Sequence, residues 1–153
     1  MRYWLMKSEP SVVGIDHVLA MPKQTVDWWG VRNYQARNFM RDQMNVGDKV
    51  FFYHSSCPEP GIAGLAEVVK RAYPDRMQYD PKSPYFDPKS TPENPRWVNV
   101  DVHIVKKTRL IGLDKLRAQP ALANMRILQR GNRLSITPVD PAEWKFITEK
   151  LMK

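Results

Sequence analysis

The chain has 153 residues, 42% of them hydrophobic, with 24 Lys and Arg against 16 Asp and Glu, a net charge of +8 and a pI near 9.7. That length fits a single domain over residues 1–153 with a core of its own, and the lone Cys57 excludes an internal disulfide and any zinc site built on paired cysteines. There is no run of about 18 apolar residues and the charged start, with Lys7 and Glu9, lacks the apolar stretch of a signal peptide, so a cytoplasmic protein with no membrane partner is expected.

Residues 3–7 (YWLMK) form a buried strand ended by Pro10. Asp16 is placed to cap a short helix to Ala20. Residues 32–44 predict a longer helix, because Ala36, Phe39, Met40 and Met44 recur at helical spacing. Asn33, Arg37 and Arg41 then share a polar, basic stripe. Residues 49–54 (KVFFYH) and 62–72 predict a hairpin of two strands, with Gly64 at a bulge. Residues 74–95 hold six of the thirteen prolines, interleaved with Tyr79, Tyr85 and Phe86, which predicts an extended segment pinned to the surface.

Val98, Val100, Val102 and Ile104 alternate with Asn99, Asp101 and His103, the period of a half-buried strand. A short helix is expected over 113–117 and a last strand over 133–137. Asp140, Pro141 and Glu143 have the order of a helix start, and Trp144, Ile147 and Leu151 give that helix a buried face. Strands and helices interleave without a regular βαβ rhythm, which favours an α+β fold with a barrel-like core of about five to six strands and peripheral helices.

A pI above about 9 is the electrostatic footprint of a nucleic-acid binder, since each neutralised phosphate releases counterions; the alternative is a basic protein kept soluble by self-repulsion. Enzyme signatures are absent: no phosphate-binding glycine loop, and His17, His54 and His103 without metal-ligand spacing. A nucleophile pair of Cys57 and His54 needs a turn between them, because residues three apart on a strand point to opposite faces. No catalytic residue, metal or cofactor is therefore assigned. Two blocks combine groups suited to a base. Lys7, Ser8 and Glu9 gather donors and acceptors at a strand end. Residues 28–35 join the stackable Trp28 and Trp29, Gly30 for close approach, and the amides of Asn33 and Gln35. Core packing is the competing reading for at least one of the tryptophans.

YWLMKSEP, WWGVRNYQARNFMR, VGDKVFFYHSS, PGIAGLAEVVKRAYPD, YFDPKSTPENPRWVNVDV and RLSITPV occur in order over essentially the whole chain and closely resemble the EVE domain family. The resemblance implies a PUA-like β-barrel with flanking helices and a function as a reader of flipped bases, some members recognising modified cytosine in DNA. Residue by residue it assigns Lys7, Ser8 and Glu9 to the pocket wall. It adds Trp28, Gly30, Val31, Arg32, Asn33, Gln35, Arg37 and Asn38 from the second block, Tyr53, His54 and Ser55 from the third, and Arg133, Leu134 and Ser135 from the last. Two positions depart from the pattern: Trp29 stands where an acidic residue is usual, and Asn132 where glutamine is common.

The resulting expectation is a monomeric reader that binds nucleic acid, DNA or RNA, carrying a modified base. Trp28 stacks on the base with Tyr53 or Trp29 nearby, Ser8, Asn33 and Gln35 read its edge, and Arg37 and Arg41 hold phosphates. Two alternatives stand beside it. One is an amidohydrolase using Lys7 and Glu9 on a modified nucleoside, by analogy with ASCH proteins of the same superfold. The other is an adaptor whose proline-rich segment binds a protein.

Overall fold

The computed structural model describes residues 1–152. Six strands, β1 (Tyr3–Ser8), β2 (Thr25–Asp27), β3 (Lys49–His54), β4 (Gly61–Pro74), β5 (Val98–Gly112) and β6 (Ile136–Val139), form one mixed sheet in the order β2-β5-β4-β3-β1-β6. β1 runs parallel to β3 and antiparallel to β6; the other neighbours are antiparallel. The sheet is open, not the closed barrel that the resemblance implies. Closure needs first and last strands with matching hydrogen-bonding edges, and here the ends are strands of three and four residues. Short edges of this kind also resist pairing with other chains.

Both faces of the central strands are buried, and period-two alternation sorts their side chains between two cores. Trp4 and Met6 of β1, Val50 and Phe52 of β3, and Ala66 and Val68 of β4 face the first core. Leu5, Phe51, Tyr53 and Ile62 face the second. The 40 residues between β1 and β3 lie over the first core and supply β2 and three short helices, α1 (Pro10–Val13), α2 (Ile15–Leu19) and α3 (Tyr34–Asn38). The second core is covered by α4 (Leu113–Arg117) and α5 (Pro141–Phe146).

The predicted helix over 32–44 divides. α3 starts after Asn33, whose Oδ1 accepts the Ala36 N–H at 3.0 Å, and passes at Phe39 into a π turn through Gln43. Ala36, Phe39, Met40 and Met44 are buried as their spacing requires. α2 is capped by Gly14 rather than Asp16, its N–H donating to His17 Nδ1 at 2.7 Å. Gly64 stands at a register shift of the β4–β5 ribbon, where a Cβ would lie 2.6 Å from the Lys106 carbonyl oxygen. Asp140 and Glu143 form the expected capping box. The last strand begins three residues later than predicted, at Ile136, and leaves residues 133–135 free of the sheet except for one bond from Lys7 N–H to the Ser135 carbonyl.

Candidate functional site: a base-sized cavity at the end of β1

A cavity of about 390 Å³ lies where the end of β1, α1, the turn after β2, Tyr85 of the proline-rich strap and residues Arg133 and Ser135 come together. This is within the range of about 300–1,000 Å³ typical of small-ligand sites. The turn starts from the sheet: Trp28 N–H donates to the Val100 carbonyl at 2.8 Å, and the Trp28 indole lies edge-on to Phe52, ring centres 5.3 Å apart. Trp28 is 7% exposed and belongs to the first core; Trp29 is half-buried against the same core and lines the cavity. Gly30 has φ of +83°, and a Cβ there would stand 3.0 Å from the Tyr85 ring, so both backbone and space require glycine.

The strap over residues 74–97 is pinned from inside. Asp75 is fully buried; one carboxylate oxygen accepts from Gly30 N–H (2.8 Å) and Arg32 Nη1 (3.1 Å), the other from Met77 N–H (2.8 Å). Arg32 donates from Nε and Nη2 to the Tyr85 carbonyl at 3.0 and 2.8 Å. The buried Gln78 amide donates to the Asp75 and Trp97 carbonyls, both at 2.8 Å, and its oxygen accepts from the Arg96 and Trp97 N–H groups. The prolines therefore trace an ordered wall that carries Tyr85 to the cavity.

On the opposite side Lys7 is half-buried and has no ion-pair partner among the described residues; burial pulls its ammonium below the usual lysine range. Ser8 donates its hydroxyl proton to the Val13 carbonyl, leaving its oxygen to accept. Burial raises the Asp27 carboxyl above its ordinary value. Among the described residues no group of His, Cys, Asp and Glu is arranged to hold a metal ion, and no helix is long and apolar enough to cross a membrane.

The EVE domain family model matches residues 2–150. The chain belongs to the EVE domain family. It is 45% identical to human thymocyte nuclear protein 1 over 95% of this chain and 72% of that protein. Among solved structures, a protein from Pseudomonas putida superposes with a TM-score of 0.90 at 48% identity, covering 95% of this chain and 97% of that one. The human THYN1 protein in complex with 5-methylcytosine-containing DNA superposes with a TM-score of 0.88 at 45% identity, covering 96% and 95%.

Within this EVE domain, Lys7, Ser8, Glu9, Trp28, Trp29, Gly30, Val31, Arg32, Asn33, Arg133 and Ser135 line the one cavity. Four expected base contacts do not. Tyr53 is 2% exposed in the second core, on the far face of β3 from Phe52 and Trp28. His54 borders a separate depression with Cys57, where its Nε2 accepts the Ile15 N–H at 3.1 Å. That bond takes up one ring nitrogen, and burial lowers the pKa of the imidazole below its ordinary value. Ser55 is tied by its N–H to the Ser8 carbonyl, and Gln35 is exposed on α3.

The two arginines expected to hold phosphates have partners within the protein. Arg37 donates to Asn38 Oδ1 from Nε and Nη2 and to the Arg96 carbonyl from Nη1, and lies 4.7 Å from the Tyr34 ring centre. Arg41 forms a paired contact with its neighbour Asp42. Asn33 spends its oxygen on the α3 cap and has only its NH₂ to offer a base. The cavity gains Val12, Val13, Val26, Asp27 and Tyr85, to which the sequence assigned no role. Tyr85 alone gave a signal, as an aromatic in a proline-rich run.

Proposed function

We propose that this EVE domain is a non-catalytic reader holding one flipped, modified base, with modified cytosine in DNA as the first candidate, in the cavity at the end of β1. The observation that carries this reading is the convergence of three sequence blocks on one base-sized cavity in a chain 45% identical to human THYN1, which was crystallised with 5-methylcytosine-containing DNA. Trp29, with its accessible face, is the stacking surface; Trp28 is the wall behind it. Lys7, the Asn33 amide and Arg133 supply donors, while Ser8, Glu9 and Asp27 supply acceptors for an exocyclic amine. Asp27 and Glu9 make good the acidic group that Trp29 lacks. Stacking worth roughly 1–3 kcal/mol plus these bonds offsets an extrusion cost of a few kcal/mol. The domain acts as a monomer over residues 1–153, and the lone Cys57 suits the cytoplasm.

The test is fluorescence anisotropy at fixed salt on matched DNA and RNA oligonucleotides carrying cytosine or 5-methylcytosine. Tighter binding to at least one modified member supports the reading. Equal affinity across the modified and unmodified set sinks it.

A further inference from the structure

The loop that brings Arg133 to the cavity carries further charges that base reading does not use. Residues 115–139 contain five Lys and Arg and no Asp or Glu. Three of the five, Arg126, Arg130 and Arg133, stand between the second core and β6, all exposed, and Arg133 lines the cavity. None of the three joins an ion pair among the described residues, whereas Arg32, Arg41 and Arg96 each hold a carboxylate. The strap on the other bank is balanced, with Asp75, Asp80, Asp87 and Glu93 against Arg76, Lys82, Lys89 and Arg96.

The loop is also built rather than loose. Met125 and Ile127 anchor it in the second core. The Gln129 side-chain amide donates to the Ala123 and Met125 carbonyls, both at 3.1 Å. Asn132 donates to the Arg126 carbonyl and accepts from Leu134 N–H at 3.0 Å, while Gly131, at φ of +79°, turns the chain between them. Amides thus satisfy the loop's own carbonyls and leave the guanidinium groups to solvent. An ordered backbone presenting unpaired arginines binds a polyanion without first paying to order the loop.

We propose that residues 126–133 are a phosphate-binding rail: the nucleic-acid backbone runs along this loop, Arg126 and Arg130 contacting phosphates that flank the nucleotide whose base enters the cavity beside Arg133. The proposal rests on the cavity being a base pocket. It adds this loop to Arg37 and Arg41, whose guanidinium groups already have partners within the protein.

The experiment is a salt titration of duplex binding, using one DNA duplex with a central 5-methylcytosine and the same duplex unmodified. Each phosphate contact adds about 0.9 to the log–log salt slope. R126Q/R130Q is expected to lower the slope by about two contacts and to weaken both duplexes equally, roughly five- to tenfold per arginine near 0.1 M salt by the same law. R126K/R130K is expected to keep the slope. K145Q/K150Q, an equal loss of charge on the helical layer over the second core, is expected to leave it unchanged. A wild-type slope in R126Q/R130Q, or an equal fall in K145Q/K150Q, overturns the rail. If the rail variant behaves as expected while wild type binds both duplexes alike, the base pocket fails and the loop's phosphate contacts stand without it. If wild type binds neither duplex, both fall.

Discussion

One oxygen of the buried Asp75 carboxylate accepts from Arg32 at 3.1 Å and from the Gly30 N–H at 2.8 Å, so a residue of the strap holds the turn that walls the cavity. Through the same guanidinium, Arg32 reaches the Tyr85 carbonyl. The four residues form one clamp, and the cavity depends on it although Asp75 does not line the cavity.

Removing the charge from that clamp leaves Arg32 with a half-buried cation and no carboxylate. Breaking a buried pair from one side costs about 3–5 kcal/mol. Asp75→Asn is therefore expected to lower stability by about 3 kcal/mol in urea unfolding and to weaken oligonucleotide binding as Tyr85 loses its support. A change below about 0.5 kcal/mol, typical of a neutral surface substitution, would show that the strap is held by its prolines and Gln78 instead.

The adjacent tryptophans are expected to fail in opposite ways. Trp28 is packed into the first core against Phe52, and truncating a buried indole costs about 3–5 kcal/mol of stability. Trp29 keeps an accessible face in the cavity. Trp29→Ala is expected to melt closer to wild type than Trp28→Ala and to lose roughly 5- to 150-fold in affinity for the 5-methylcytosine duplex, the equivalent of about 1–3 kcal/mol of stacking. Undiminished discrimination in Trp29→Ala would move the platform to another ring.

Much of this is legible in the sequence alone. Short apolar and aromatic runs located β1, β3 and β4, period-two alternation located the start of β5, and the Asp140–Glu143 box located α5. The cavity residues of the first two blocks were legible because their polar and aromatic groups lie within short runs. Other features depend on partners far away in the chain. β2 is three residues long and exists only through its pairing with β5. Trp28 and Trp29 carry the same side chain and differ only in which one the Val100 bond turns towards Phe52. Arg37 sits on the predicted basic stripe, but the carbonyl it bonds is at residue 96, and helical spacing contains no information about that carbonyl. Tyr53 and His54 belong to one strand block, yet neighbouring strand residues face opposite ways, so a shared motif did not mean a shared destination.

Arg37 yields a direct contrast with the loop arginines. Its guanidinium bridges Asn38 and the Arg96 carbonyl and packs on Tyr34, which itself stacks on Trp97 with ring centres 4.8 Å apart. Arg37→Ala is expected to lower the melting temperature by loosening the strap from α3 while leaving the salt slope of binding at the wild-type value. A slope reduced by about one unit with unchanged melting would instead mark a phosphate contact and would show that the guanidinium leaves its partners when DNA binds.

The last prediction concerns acid. His54 Nε2 accepts the Ile15 N–H at 3.1 Å, which requires the nitrogen to be unprotonated, and burial lowers the pKa of this imidazole from 6.5. An unfolded chain takes up a proton at His54 once the pH drops below about 6.5, while the native imidazole still resists it. The unfolded state therefore binds more protons in that window, and native stability falls as pH falls from 6.5 through the lowered native value. His54→Gln removes the titration and retains an acceptor for Ile15. The stability of wild type relative to His54→Gln, from urea unfolding at closely spaced pH, is expected to be constant above pH 7, to decline in wild type's disfavour from pH 6.5 downwards, and to level off once the native imidazole is itself protonated. His17 and His103 are common to both proteins and cancel in the difference. Parallel curves across the whole range would mean that the imidazole is protonated as readily in the native protein as in the unfolded one, and that the Ile15 bond does not hold the end of β3 to the start of α2.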